Sequence, residues 1–198
     1  MTAAFRKLNQ QNGFSLAEML VAVLILLMVS AVVAGGIPAA SNAYSKAVDA
    51  ANAQVLLSTA ATALRDELGT AKNVSISKNF GISDDKGTVR YYSADNGNYS
   101  ELSIGEKDNR SVIMLTSYLG ETIEDADSDA SDITLGTGSN IVQWELVSSA
   151  AITKKLGLTY EAVGFDNGII TFTNLQVLKN SNVLAEVKQL EIRVISGA

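Results

Sequence analysis

The chain of 198 residues contains no cysteine and no histidine. Without cysteine it has neither disulfides nor thiolate metal sites. That absence does not fix a compartment, because an exported protein need not use disulfides. Without histidine it lacks the commonest general base, the commonest zinc ligand and any histidine-based catalytic triad. A third absence is local. From Met19 to Ala40 there is no charged side chain, and Ser30 carries the only polar one. About 20 helical residues cross the ~30 Å hydrocarbon core of a bilayer. Arg6 and Lys7 precede this run, the next basic residue is Lys46, and a single carboxylate, Glu18, sits at its start.

The mean hydropathy of +0.17 therefore blends an apolar segment with an ordinary polar domain. The formal net charge is −6, and of all acidic and basic residues only Arg6, Lys7 and Glu18 come before Lys46. The remainder is acidic. Phosphates need a basic face, so no direct nucleic-acid partner is expected.

Taken in order, residues 1–13 form a short polar, basic leader. Residues 14–40 read as a transmembrane helix, and residues 41–68 as its amphipathic continuation. Basic residues ahead of the apolar run and none just behind it orient the N-terminus to the cytoplasm. Gly35, Gly36 and Pro38 are expected to weaken or kink the helix. Val48, Val55, Leu57, Ala61, Leu64 and Leu68 recur at helical spacings and form the expected apolar stripe, with Gly69 as the expected C-cap.

Residues 69–198 change period to two. Val74–Ile76, Val89–Tyr91, Leu102–Ile104, Val112–Met114, Val142–Leu146, Ile170–Phe172 and Leu190–Val194 read as strands. Turn signals at Asp84–Gly87, Asp95–Asn98 and Asp166–Gly168 separate them. In the last strand Leu190, Ile192 and Val194 are expected to face inward, with Gln189, Glu191 and Arg193 toward water. The fold class is α+β: a long N-terminal helix, half transmembrane and half amphipathic, packed by its second half on an antiparallel β-sheet domain.

Few residues in that domain suggest chemistry. Asp125, Asp127 and Asp129 alternate as in a calcium loop, but Ala130 stands where glycine is needed and no glutamate follows at the twelfth position. The segment reads as a solvated acidic loop. Asn73, Asn98 and Asn109 each begin an Asn-X-Ser triplet, a pattern frequent by chance. Tyr91, Tyr92, Trp144 and Tyr160 read as sheet core or sheet face. Nothing marks a carboxylate pair for glycoside hydrolysis, and no enzyme is expected.

The stretch Gly13-Phe14-Ser15-Leu16-Ala17-Glu18-Met19-Leu20, behind a basic leader and ahead of an apolar run, resembles the prepilin processing site of the type IV pilin-like family. That family comprises type IV pilins, type II secretion pseudopilins and competence pilins. The resemblance implies that a membrane prepilin peptidase cuts between Gly13 and Phe14 and N-methylates Phe14. It also implies that Glu18, fifth in the mature chain, is the assembly carboxylate. The implied partners are that peptidase, other pilin subunits, the inner assembly platform and the membrane. The implied place is a single-pass subunit of the cytoplasmic membrane that passes into an envelope or surface filament. Calcium is known in headgroup loops of some pilin-like proteins and is the one cofactor left open here.

A carboxylate inside an apolar helix costs about 2.5–3.5 kcal/mol on insertion scales. In a packed filament it needs a cation, and the amine released at Phe14 of a neighbour supplies one. Such a pair repays its desolvation only in register. The alternative is a single-pass anchor for an extracellular binding or enzymatic domain that does not polymerise.

Overall fold

The computed structural model describes residues 15–77, 86–119, 141–147 and 155–195. It opens with one α-helix, α1, from Leu16 to Gly69. Leucine, alanine and methionine dominate its start and favour helix, and α1 runs through Gly35, Gly36 and Pro38 without a break in assignment. The expected weakening does not interrupt it. Pro38 removes only the one donor that would meet the Ala34 carbonyl, and the turns on either side continue. Gly69 is the last helical residue rather than a cap beyond the end.

The chain divides into two compact units inside this helix, residues 1–47 and 48–198. In the first, every described residue of α1 is exposed. In the second, one face of α1 is buried: Ala53, Leu56, Leu57, Ala60, Ala61, Leu64 and Leu68. These recur at three- and four-residue intervals, the spacing of one helix face. The expected stripe is corrected at its N-terminal end. Val48 and Val55 are 37% and 52% exposed, whereas Ala53, Leu56 and Ala60 are fully buried. The face that meets the sheets is rotated toward small residues, which let the backbones approach.

Among the described residues nine strands follow: β1 (Lys72–Ser77), β2 (Thr88–Ser93), β3 (Asn98–Lys107), β4 (Arg110–Tyr118), β5 (Ile141–Glu145), β6 (Gly157–Thr159), β7 (Ala162–Asp166), β8 (Ile169–Lys179) and β9 (Asn182–Arg193). All seven expected strands are present. They form two antiparallel sheets rather than one. The first is an antiparallel meander in the order β1-β2-β3-β4-β5. In the second, β8 pairs along one part of its length with β6 and along another with β7, and it also pairs with β9. The switch between β6 and β7 falls at Asn174, which takes a φ of 49°. There the Glu161 amide donates to the Thr173 carbonyl at 2.9 Å, and the Asn174 side-chain amide donates to the Glu161 carboxylate.

The turns carry left-handed residues. Asn167 and Gly168 take φ of 50° and 75° between β7 and β8, and Asp108 and Asn109 take 51° and 59° between β3 and β4. These asparagines, aspartates and glycines tolerate that region, and two such residues in succession close a two-residue hairpin. The two sheets approach closely at Gly157. A Cβ there would lie 3.1 Å from the Ser111 carbonyl oxygen and 3.3 Å from its amide nitrogen.

One hydrophobic core joins the helix face to both sheets. Val89, Tyr91, Leu102, Ile113 and Leu115 come from the first, and Val163, Ile170, Phe172, Leu175, Val177, Leu190 and Ile192 from the second. Leu190, Ile192 and Val194 are buried and Gln189, Glu191 and Arg193 exposed, as the alternation requires. Tyr160 and Phe172 meet edge to face at 5.2 Å, and the Tyr160 hydroxyl donates to the Gly87 carbonyl at 2.7 Å.

Candidate functional site

The candidate site is the first turn of α1. Ser15 precedes the helix and Glu18 lies in its first turn. The Glu18 amide donates to the Ser15 hydroxyl oxygen at 3.2 Å, and the Ser15 amide donates to Glu18 Oε2 at 2.9 Å. This reciprocal pair is a capping box, which satisfies two backbone donors that the helix itself leaves open. The carboxylate also stands at the positive end of the helix dipole. Glu18 is thus held by hydrogen bonds within its own chain. The sequence held the signal for this, a serine followed three residues later by a glutamate just ahead of an apolar run.

Beyond Glu18 the helix offers lipid-like side chains and little else. Met19, Leu20, Val21, Val23, Leu24, Ile25, Leu26, Leu27, Met28 and Val29 are all more than half exposed. The one hydroxyl among them, on Ser30, donates to the Leu26 carbonyl at 2.8 Å. It therefore needs no water, as a hydroxyl in an apolar medium requires. The helix is long and apolar enough to cross a membrane.

Gly13 and Phe14, the expected processing residues, lie outside the described residues, as do Asp125, Asp127 and Asp129. Among the described residues there is no group of three carboxylates that could hold a metal. Of the Asn-X-Ser triplets, Asn73 and Asn109 take φ of 50° and 59°, and Asn98 opens β3.

Three polar links in the β-rich unit are structural. Glu145 is bound by Lys107 at 2.7 Å and by Arg110 at 3.3 Å, with Glu145 and Arg110 each only 7% exposed. Burial alone would raise the Glu145 carboxyl, but the Lys107 hydrogen bond and the Arg110 charge outweigh it and hold the group below its ordinary range. The Tyr91 hydroxyl donates to Glu67 Oε1 at 2.8 Å, tying β2 to the last turns of α1. Burial first, and then the Glu67 charge, raise the Tyr91 phenol far above its ordinary value, so it stays a donor. Lys179 and Asp49 form a second link from α1 to a strand, here β8.

Residues 8–34 match the family described as the prokaryotic N-terminal methylation motif. No curated protein and no solved structure matches the chain. The match covers both sides of the Gly13–Phe14 junction, the capping box and most of the apolar run. It supports a precursor of type IV pilin-like or pseudopilin kind, in which the methylation motif runs into a helix long and apolar enough to cross a membrane. The β-rich unit after it, built on α1, agrees with an α+β pilin-like fold.

Proposed function

We propose that the protein is a structural subunit, pilin or pseudopilin, of a type IV pilus-like or type II secretion-like filament. A prepilin peptidase cleaves it after Gly13 and methylates Phe14. Before assembly it spans the cytoplasmic membrane once, N-terminus inward, with the β-rich unit outside. The observation that carries this reading is the methylation motif at residues 8–34 continuing into a helix whose apolar side chains, as far as Val48, are exposed on every face. A helix apolar all round is stable only in lipid or among other helices.

Assembly exchanges lipid contacts for contacts with sister helices, so packing and the Glu18 pair, rather than bulk hydrophobicity, drive it. Ala22, Ser30, Ala34 and Gly35 allow close helix approach. Specificity then resides in the β-rich unit, and no catalytic role is assigned to it.

Mass spectrometry of the N-terminus tests the reading in cells with an active prepilin peptidase. The expected mature chain begins at Phe14 and carries one added methyl group. A chain that retains Met1 in such cells overturns it. In sheared filament fractions, Glu18→Ala is expected to remove the subunit while leaving cleavage intact.

A further inference from the structure

The geometry points to Ser15 as a positioning residue for Glu18, holding the carboxylate on the first turn of its own chain until an assembly cation takes it. This rests on the assembly role proposed above for Glu18. The observation is the reciprocal pair of bonds, Glu18 N–H to Ser15 Oγ at 3.2 Å and Ser15 N–H to Glu18 Oε2 at 2.9 Å.

Three features make the pair more than a helix cap. First, both Ser15 groups lie on the C-terminal side of the Gly13–Phe14 bond, so cleavage removes neither. The carboxylate is held in the precursor and in the mature chain alike. Second, the Ser15 amide engages one carboxylate oxygen, Oε2, and the group carries a second oxygen that can accept from a neighbour's amine. Third, the side chain in question is long, and one free to snorkel loses rotamer entropy when it is fixed. A carboxylate ordered in advance spends less of its pairing energy on orientation. Ser15 thus serves two stages. It satisfies Glu18 at the apolar boundary, where an unpaired charge is costly, and it presents Glu18 to the incoming amine.

The test uses the full chain with Ser15→Ala, Ser15→Thr and Glu18→Ala. In filament fractions, Ser15→Ala is expected to be incorporated about fivefold less than the parent, the size of effect typical of a lost cap, while Ser15→Thr, which keeps the hydroxyl, stays within about twofold. A cap with no part in assembly would leave incorporation at the parental level in Ser15→Ala, and that overturns the inference, as does Ser15→Thr failing as badly as alanine. If Ser15→Ala is not processed, amide exchange in detergent micelles decides. Glu18 N–H exchange is expected to quicken about fivefold in Ser15→Ala, and Ser15 N–H exchange likewise in Glu18→Ala; unchanged rates overturn it. Glu18→Ala separates the two readings. Normal assembly of that variant sinks the proposed role of Glu18 itself. Blocked assembly of Glu18→Ala beside normal assembly of Ser15→Ala sinks only the role of Ser15.

Discussion

The two parts of α1 share a backbone and differ in what covers them. From Ser15 to Val48 every residue is exposed, including a run of aliphatic side chains that no protein element covers. From Ala53 to Leu68 seven residues are buried and the intervening ones are mostly polar. Helix formation alone explains neither part, because an isolated helix is marginal in water. In the second part tertiary burial supplies the missing stability. The first part has no such partner among the described residues, and the difference locates where an external apolar medium has to act.

The largest expected contrast follows directly. Leu64 is fully buried and Leu24 is 52% exposed. Leu64→Ala is expected to destabilise the β-rich unit by about 3 kcal/mol, through lost transfer energy and the cavity left behind. Leu24→Ala is expected to move the same transition by less than about 0.5 kcal/mol. Denaturant unfolding of the full chain in detergent, followed by Trp144 fluorescence, measures both. Equal losses for the two variants would break the comparison, because the apolar half would then draw its stability from the fold.

A similar contrast sharpens it within the β-rich unit. Arg110→Ala leaves the buried Glu145 carboxylate with only an exposed lysine, and about 3 kcal/mol of destabilisation is expected. Lys107, 55% exposed, is expected to matter by less than about 1 kcal/mol when replaced by alanine. The folded Glu145 carboxyl titrates below its ordinary value of 4.5. Its contribution is therefore complete above pH 4.5 and is lost as the pH falls through the lower folded value. Unfolding midpoints taken from pH 6 downward should fall more steeply in the parent than in Glu145→Gln; parallel curves would contradict the assignment. Tyr91→Phe removes the donor to Glu67 and is expected to cost about 1.5 kcal/mol in the same assay.

Much of this was legible in the residues. The uncharged run, the Gly13-Phe14 junction and Glu18 define the N-terminal region, and period-two alternation located seven strands. What was missed had weak local signal. β6 is three residues long with all three buried, so it shows no alternation, and Gly164 interrupts the pattern of β7. The change of partner along β8, from β7 to β6, falls at Asn174, which marks itself only by a residue tolerant of left-handed backbone. Ser15 is legible too: its spacing to Glu18 spells a capping box, although the same carboxylate also reads as an intermolecular group. The processing residues Gly13 and Phe14 and the acidic loop around Asp127 lie outside the described residues.

The smallest effect is expected at Val55, and it tests the helix face itself. Periodicity places Val55 in the apolar stripe, whereas the fold leaves it 52% exposed beside a fully buried Leu56. In Val55→Ala, half a side chain of burial is lost, but alanine is the better helix former, by roughly 0.5 kcal/mol. The two terms oppose each other, so the net change is expected to lie within about 0.5 kcal/mol of zero. Leu56→Ala, one residue away, is expected to cost about 3 kcal/mol. Measured side by side in the same denaturation assay, the pair reports the orientation of α1 over the sheets independently of any single value. A loss of about 2 kcal/mol at Val55 with little at Leu56 would rotate the buried face back to the one that periodicity implies. Near-neutrality at Val55 instead leaves this exposed valine available for contacts made outside the subunit.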